Sequence, residues 1–423
     1  MKATRKTPRG IEIEIPSGPI KRPLNDSKFT NLIAEAAKVY GVDIERLNGN
    51  GKKARFVIKN EVLFYSENVN SRTQLAHAIK KVSKKRINVN EIIRCCWDKS
   101  LYIIRSKPIY DLIKKDEKKS FSLNELCYGD KETKEDGDVS STDKEPEGEI
   151  AEGENVGVKI GSRKQNSNQS CEEQSNCCIP IEKCKIQIGV VDFGWGDHHA
   201  EMIKSIIHNE YKSTQLHDYN LVASFPVASA AAICCQIARA INERMDILNM
   251  SIGYYSNKEN LLIKKYLEKA SRAGVLIVCS SGNSNNDNSE NNHWPSNYSK
   301  NNNNVITVSS CRYEDGNLRK TYYSNYESRD ATDFHIFTDG MFPYPSHVHL
   351  YSRGDHITYG RGTSFSTAYI VAKIAKLFKK YGKAHYLNAD GFNRQKLVED
   401  LSPDDRDINL YPNSILQSCR PVE

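Results

Sequence analysis

From Lys185 to Phe378, short apolar runs of β character alternate with helical patterns, an order that few folds accommodate. Lys185-Ile-Gln-Ile-Gly-Val-Val191 reads as a buried strand followed by Asp192. Then come a helix around 199–209, a strand at 220–225, a helix at 228–244 and a strand at 246–250. A helix over 258–273, strands at 275–279 and 305–309, and a helix at 364–380 complete the series. The spacing predicts an α/β unit, a parallel sheet flanked by helices. In open sheets of this kind ligands bind beyond the carboxyl ends of the strands. The asparagine-rich stretch 283–304 is polar and aperiodic and reads as a loop, and 386–423 reads as a C-terminal tail.

Charge divides the rest of the chain. The net is +14 over residues 1–120, −8 over 121–180 and +1 beyond, within a total of +7. Such asymmetry marks separate modules. Residues 1–125 read as a small N-terminal α+β domain: a helix at 28–40, two short strands around Lys59-Asn60 in RFVIKNEVLFY, a basic helix at 73–85 and a strand at 101–105. The stripe Lys80, Lys81, Lys84, Lys85, Arg86 reads as a solvated helix face, since no nucleic-acid-binding signature accompanies it. Residues 126–182 are acidic and poor in aromatics, which predicts a disordered linker because little apolar surface offsets the entropy of ordering. The predicted α/β unit covers 183–385. No run of about eighteen apolar residues exists to span a membrane. Among the 12 cysteines are adjacent pairs such as Cys95-Cys96 and Cys234-Cys235, which suit a reducing compartment and a cytoplasmic location. The spacing of Cys171, Cys177, Cys178 and Cys184 is wrong for zinc, so no metal is expected there.

Four segments at expected strand ends or helix starts each hold one polar group suited to acyl transfer: Asp192 after IGVV, His199 opening HAEMIKSI, Asn283 closing VLIVCSSGN, and Ser364 in GTSFSTA. A serine needs a base to act as a nucleophile, and the histidine needs a carboxylate to fix its tautomer. A serine at a helix start sits beside unpaired N–H groups, and an asparagine amide adds a second donor for an oxyanion. Alone, each residue is equally a turn former or a helix cap; the order Asp–His–Asn–Ser on alternating elements is far more specific. His199, not His198, precedes the Met202, Ile203, Ile206 pattern, and Gly-Thr precedes Ser364, not Ser366.

With these motifs, residues 185–378 resemble the subtilisin-like serine peptidases. VVDFG is similar to the family's Asp motif, HAEMIKSI to its His motif, LNMSIG to its substrate-lining strand, SSGN to its oxyanion motif and GTSFSTA to its Ser motif. TYYSNYES is similar to another family segment. The resemblance implies a subtilisin-like fold and an Asp192–His199–Ser364 triad acting through an acyl-enzyme, with Asn283 and the Ser364 N–H holding the oxyanion. It further implies that Ser251, Ile252 and Gly253 pair with an extended substrate and that Ser281 and Gly282 line its pocket, with no cofactor required. Three departures stand out: Asp192 and His199 are only seven residues apart, Ala200 replaces a glycine, and Ala368 replaces a proline. An extended chain rises about 3.3 Å per residue, so that gap still reaches from a strand end to a neighbouring helix. The expected partners are a protein or peptide substrate and an intramolecular contact with residues 1–125, which would act as a propeptide-like or partner-binding module with self-processing in the linker; no nucleic acid and no membrane are expected. The alternative is a catalytically inactive protein of the same fold that binds peptides or partners.

Overall fold

The computed structural model describes residues 3–6, 12–15, 37–38, 41–48, 54–69, 71–83, 86–115, 120–128, 185–193, 199–221, 227–256, 258–288, 292–314, 317–321, 323–326, 334–339, 341–345, 357–389, 391–401 and 409–412. The helix expected at 28–40 lies outside them except for 37–38, as does the expected linker from residue 129 onward. Met1–Glu132 and Lys185–Glu423 together make one compact unit.

In its N-terminal part, β1 (Ile44–Asn48), β2 (Ala54–Tyr65), β3 (Ile92–Arg94), β4 (Leu101–Arg105) and β5 (Phe121–Tyr128) form an antiparallel sheet. Its order is β5-β2-β4-β3, with β1 beside β2. Leu75 and Ile79 of α1 (Arg72–Ser83) and Ile109 and Ile113 of α2 (Lys107–Lys115) pack with Val57, Val62, Ile92 and Ile104 from the sheet. RFVIKNEVLFY, expected as two strands, is one continuous strand. Its break is a bulge: the register against β5 shifts between Val57 and Val62, and Asn60 takes a φ of 63°. Asparagine tolerates that left-handed conformation better than most residues. Lys80 and Lys81 are exposed at the end of α1, consistent with a solvated face; Lys84 and Lys85 lie outside the described residues.

The second part is built on β6 (Ile186–Asp192), β7 (Thr214–Asn220), β9 (Ile247–Met250), β10 (Leu276–Ser280), β11 (Val305–Glu314) and β12 (Phe334–Asp339), with β8 (Val227–Ser229) set apart. The first six run parallel in the order β7-β6-β9-β10-β11-β12. Antiparallel strands Asn317–Lys320 and Asn409–Pro412 join β11 and β12 and bring the sheet to eight strands. The strand expected at 220–225 therefore lies earlier, at 214–220. Successive strand residues face opposite sides, so Val190 and Val191 feed different cores. Val191, Leu248 and Ile277 pack with α4 (Ala230–Asn242) and α5 (Leu261–Arg272). Val190, Ile247 and Val278 pack with α3 (His199–Glu210), α6 (Thr363–Tyr381) and α7 (Arg394–Leu401). Tyr386, Phe392 and Leu397 belong to that second core, so packed chain continues past the expected boundary at 385 to Leu401. Among the described residues no helix is long and apolar enough to cross a membrane.

Helix starts follow from their caps. Asn260 Oδ1 accepts hydrogen bonds from the Leu262 and Ile263 N–H groups at 3.1 and 3.2 Å, and Ser229 Oγ accepts from Ala232 N–H at 3.3 Å.

The two parts share a seam. β8, from the second part, pairs antiparallel with β5 through Val227–Tyr128, Ala228–Cys127 and Ser229–Leu126, making the N-terminal sheet six-stranded. Chain expected to be linker at 126–128 is therefore sheet. Asn124 Oδ1 accepts from the Ala231 N–H in the first turn of α4 at 3.2 Å. Leu63, Tyr65, Cys95 and Leu101 are buried in the same cluster as α4 and α5, and Tyr65 meets Tyr266 edge-on at 5.7 Å. Each fully buried large side chain contributes about 1.5–3 kcal/mol. Asp98 accepts from Lys269 Nζ at 2.6 Å and from Tyr266 OH at 2.8 Å. Burial opposes the Asp98 charge, but hydrogen bonds from Lys269, the Ser100 N–H and Tyr266 prevail and hold its carboxyl below the ordinary value.

Candidate active site

Asp192 is the last residue of β6, at the carboxyl edge of the parallel sheet, with its side chain only 5 % exposed. Its Oδ1 accepts the Phe193 N–H at 2.6 Å, and its Oδ2 lies 2.6 Å from His199 Nδ1. Both carboxylate oxygens are thus engaged. A carboxylate opposite Nδ1 selects the tautomer with the proton on Nδ1, leaving Nε2 as the basic nitrogen. His199 is the first residue of α3, so the short connection does bridge a strand end and a helix start. His198 lies outside the described residues.

The His199 ring lies 5.8 Å, centroid to centroid, from that of Phe365, the residue after Ser364. Ser364 sits in the first turn of α6 and is 7 % exposed. A helix start carries unpaired N–H groups and the positive end of the helix dipole. Ser366, the rival serine, is fully buried and hydrogen-bonded to Ser310 Oγ at 2.6 Å. It belongs to the packing under the helix.

Asn283 comes from the loop after β10 and meets the same helix start. Its Oδ1 accepts both the N–H and the hydroxyl of Thr363 at 2.9 Å, which orients the amide. Nδ2 lies 3.3 Å from where a Cβ on Gly362 would stand, at a φ of 153° that disfavours a side chain. Glycine there lets the donor approach the helix start closely.

Of the expected substrate-lining residues, Ser251 is tied into this centre. Its Oγ accepts from Asn249 Nδ2 at 2.9 Å and donates to the Ser364 carbonyl at 3.3 Å. The Ile252 side chain is in the core, so only its backbone is suited to a substrate. Gly253 is covered from beneath by His293, whose Nε2 lies 2.0 Å from where a Cβ would stand. Ser281 is fully buried, with its N–H bonded to the Val308 carbonyl and its hydroxyl to that of Asn325. Gly282, at a φ of 101°, accepts the Asn325 N–H. Ser281 and Gly282 therefore brace the loop, and the Ser281 side chain lines no open wall.

Two residues outside the expected site organise it. Asn325, fully buried, takes the Ser284 and Asn286 N–H groups on Oδ1 at 2.9 and 3.0 Å. Its Nδ2 donates to Tyr255 OH, the Ser281 carbonyl and Asn288 Oδ1 at 2.7, 2.9 and 3.1 Å. It stands in TYYSNYES, a segment the sequence singles out without indicating this hub. His293, bonded to Ser296 Oγ at 2.8 Å and 5.0 Å from the Tyr255 ring, had no such signal because it lies in the asparagine-rich stretch. That stretch is not a plain loop: Asn288, Asn297 and Asn304 are buried, and Asn297 Nδ2 reaches the Asn288 carbonyl at 2.9 Å.

Residues 187–399, half the chain, match the model of the subtilase family of S8 peptidases. The chain belongs to the subtilase family. A search of curated proteins finds no match. Among solved structures, this subtilase is similar to fervidolysin from Fervidobacterium pennivorans, a keratinolytic enzyme related to subtilisin. The identity is 15 % and the TM-score 0.52, with 88 % of this chain and 61 % of that one covered. The chain thus spans under two thirds of fervidolysin, and the likeness is one of fold. The epidermin leader peptide processing serine protease of Staphylococcus aureus is similar at 13 % identity and a TM-score of 0.48, over 81 % of this chain and 91 % of that one. A lanthipeptide protease is similar at 14 % identity and a TM-score of 0.38, over 55 % and 84 %.

Proposed function

We propose that this subtilase is a serine endopeptidase with Asp192, His199 and Ser364 as its triad. The observation that carries the reading is the 2.6 Å Asp192–His199 contact beside the helix start that bears Ser364. Ser364 Oγ attacks a peptide carbonyl while His199 Nε2 takes its proton, and Asp192 stabilises the resulting imidazolium. Asn283 Nδ2 and the Ser364 N–H hold the oxyanion as it forms. His199 then protonates the leaving amine, and water hydrolyses the acyl-enzyme. The backbone of Ser251–Gly253 pairs with the substrate as an added strand. The N-terminal part acts as a propeptide-like module docked on α4 and α5, and the chain processes itself in the linker.

A fluorophosphonate probe tests the chemistry: labelling of the wild type that is lost in Ser364→Ala is the expected result. A wild type that never labels, alone or after added protease has cut the linker, makes the protein a silent member of the fold. Self-processing predicts a wild-type cut between 128 and 180 that Ser364→Ala lacks; wild type still intact after long incubation refutes it.

A further inference from the structure

The ends of β9 and β10 frame a slot beside Ser364. The two strands run parallel, in register from Ile247–Leu276 to Met250–Cys279, and the chain continues as Ser251–Gly253 on one side and Ser281–Asn283 on the other. Ser251 Oγ donates to the Ser364 carbonyl, and Asn283 meets the same helix start. On the peptidase reading, on which this inference rests, a substrate adds as a strand to Ser251–Gly253 with its reacting carbonyl at Asn283. The side chain of the residue before the cut then enters between these two walls.

The floor of that slot is filled. A Cβ on Gly253 would stand 2.0 Å from His293 Nε2 and 2.2 Å from its Cε1, so the imidazole occupies the space beneath the glycine. His293 is held from several directions. Tyr254–Tyr255 pairs antiparallel with His293–Trp294, and Trp294 Nε1 donates to the Ser256 carbonyl at 2.9 Å. Ser296 Oγ lies 2.8 Å from His293 Nδ1 and donates to the His293 carbonyl at 2.8 Å. The Tyr255 ring meets the imidazole edge-on at 5.0 Å. Its hydroxyl accepts from Asn325 Nδ2 at 2.7 Å, and that amide also holds the Ser281 carbonyl at 2.9 Å. One bonded unit thus ties the floor to the opposite wall. A slot open to a long side chain would leave its floor within reach of water. Here His293 and Asn325 are fully buried, Tyr255 is 8 % exposed, and the backbones of Gly253 and Gly282 are buried as well.

We infer that His293 is the specificity-determining floor of this slot, and that the protein cuts after glycine, alanine or serine and rejects leucine, phenylalanine and other long side chains. A ring forced into a filled site must displace its packed neighbours, and such a misfit is felt even for one methylene. Admitting phenylalanine here would mean moving His293 and breaking the bonds that hold it.

The test uses wild type whose linker has been cut by added protease. It is treated with two peptidyl diphenyl phosphonates that differ only in carrying an alanine or a phenylalanine side chain at the reacting residue. The Ser364 adduct is followed by mass spectrometry. The alanine probe should react at least about tenfold faster, the discrimination a pocket makes over a single methylene. In His293→Ala the floor opens, and the phenylalanine-to-alanine rate ratio should rise at least about tenfold. Because the ratio is taken within one chain, a general loss of reactivity cancels; if the variant does not fold, the wild-type preference decides alone. A wild type that takes phenylalanine as fast as alanine overturns the inference and leaves the peptidase reading standing. So does faster reaction of a glutamate probe, which would make the imidazole a ligand for a carboxylate, or an unchanged ratio in folded His293→Ala. A wild type that labels neither with these probes nor with a plain fluorophosphonate refutes the peptidase reading, and binding then tests the floor. On the Ser364→Ala chain, a peptide ending in alanine should bind at least about tenfold tighter than the same peptide ending in phenylalanine, read by fluorescence anisotropy. Equal binding of the two, or none, overturns the inference.

Discussion

Removing the Asn325 side chain should loosen the loop that carries Asn283. In Asn325→Ala, the N–H groups of Ser284 and Asn286 lose their acceptor, and Tyr255, Ser281 and Asn288 lose a shared donor. A buried donor left without a partner costs about 1–3 kcal/mol. The two N–H groups alone set a loss of about 2–6 kcal/mol, and water entering the vacated space moves the figure toward the lower end. The remaining acceptors cost less, since the Ser281 carbonyl keeps Asn288 Nδ2 at 3.0 Å. The loss is read as the shift in urea midpoint between Ser364→Ala and Ser364→Ala/Asn325→Ala, a pair free of self-cutting. In the active-serine background, fluorophosphonate labelling should slow about tenfold at 20 °C, where the variant is still folded. A stability change below about 0.5 kcal/mol, the size of an ordinary surface substitution, together with an unchanged labelling rate, refutes the hub.

Asn283→Ala should slow acylation about 10²–10³-fold with little change in substrate KM, because the lost donor acts on the transition state; steady-state kinetics on a peptide ester separates the two. Gly253→Ala places a methyl within 2.0 Å of where His293 Nε2 now stands, so the Ser251–Gly253 edge must shift and KM for an extended peptide should rise more than kcat falls. Asp98→Asn should destabilise the chain by about 1–3 kcal/mol at neutral pH, through loss of charge-assisted bonds to Lys269 and Tyr266. The folded-state carboxyl is held below its ordinary 3.8, so its contribution is complete above that pH and fades as pH falls through the lowered value. The difference between wild type and variant, measured by urea unfolding, should therefore be constant from pH 5 to 8 and shrink below pH 4.

The central strands β6, β9, β10 and β11 were legible because each is an apolar run, and α3 to α6 fell within a few residues of their expected ends. β7 (TQLHDYN), read too late at 220–225, and β12 (FHIFTD) and α7, not read at all, carry polar residues that break such runs. The positions of Asp192, His199, Asn283 and Ser364 were legible too, because a strand end and a helix start are local features. Burial by polar residues was not. Asn288, Asn297 and Asn325 are buried through bonds to one another and to backbone, and hydrophobic periodicity is blind to that. Nor was the seam visible: β8 has only three residues, and its pairing with β5 joins segments a hundred positions apart. Asn60 reads as a turn in sequence, and only the register shift reveals a bulge.

That borrowed strand has a consequence for the chain's biosynthesis. β5 is completed by residues 227–229, so an emerging N-terminal half carries an open ladder edge until α4 has left the ribosome, and any later parting of the halves bares it again. Fragments ending before residue 227 should thus be prone to pairing with one another, whereas chains extending through α4 cap their own edge.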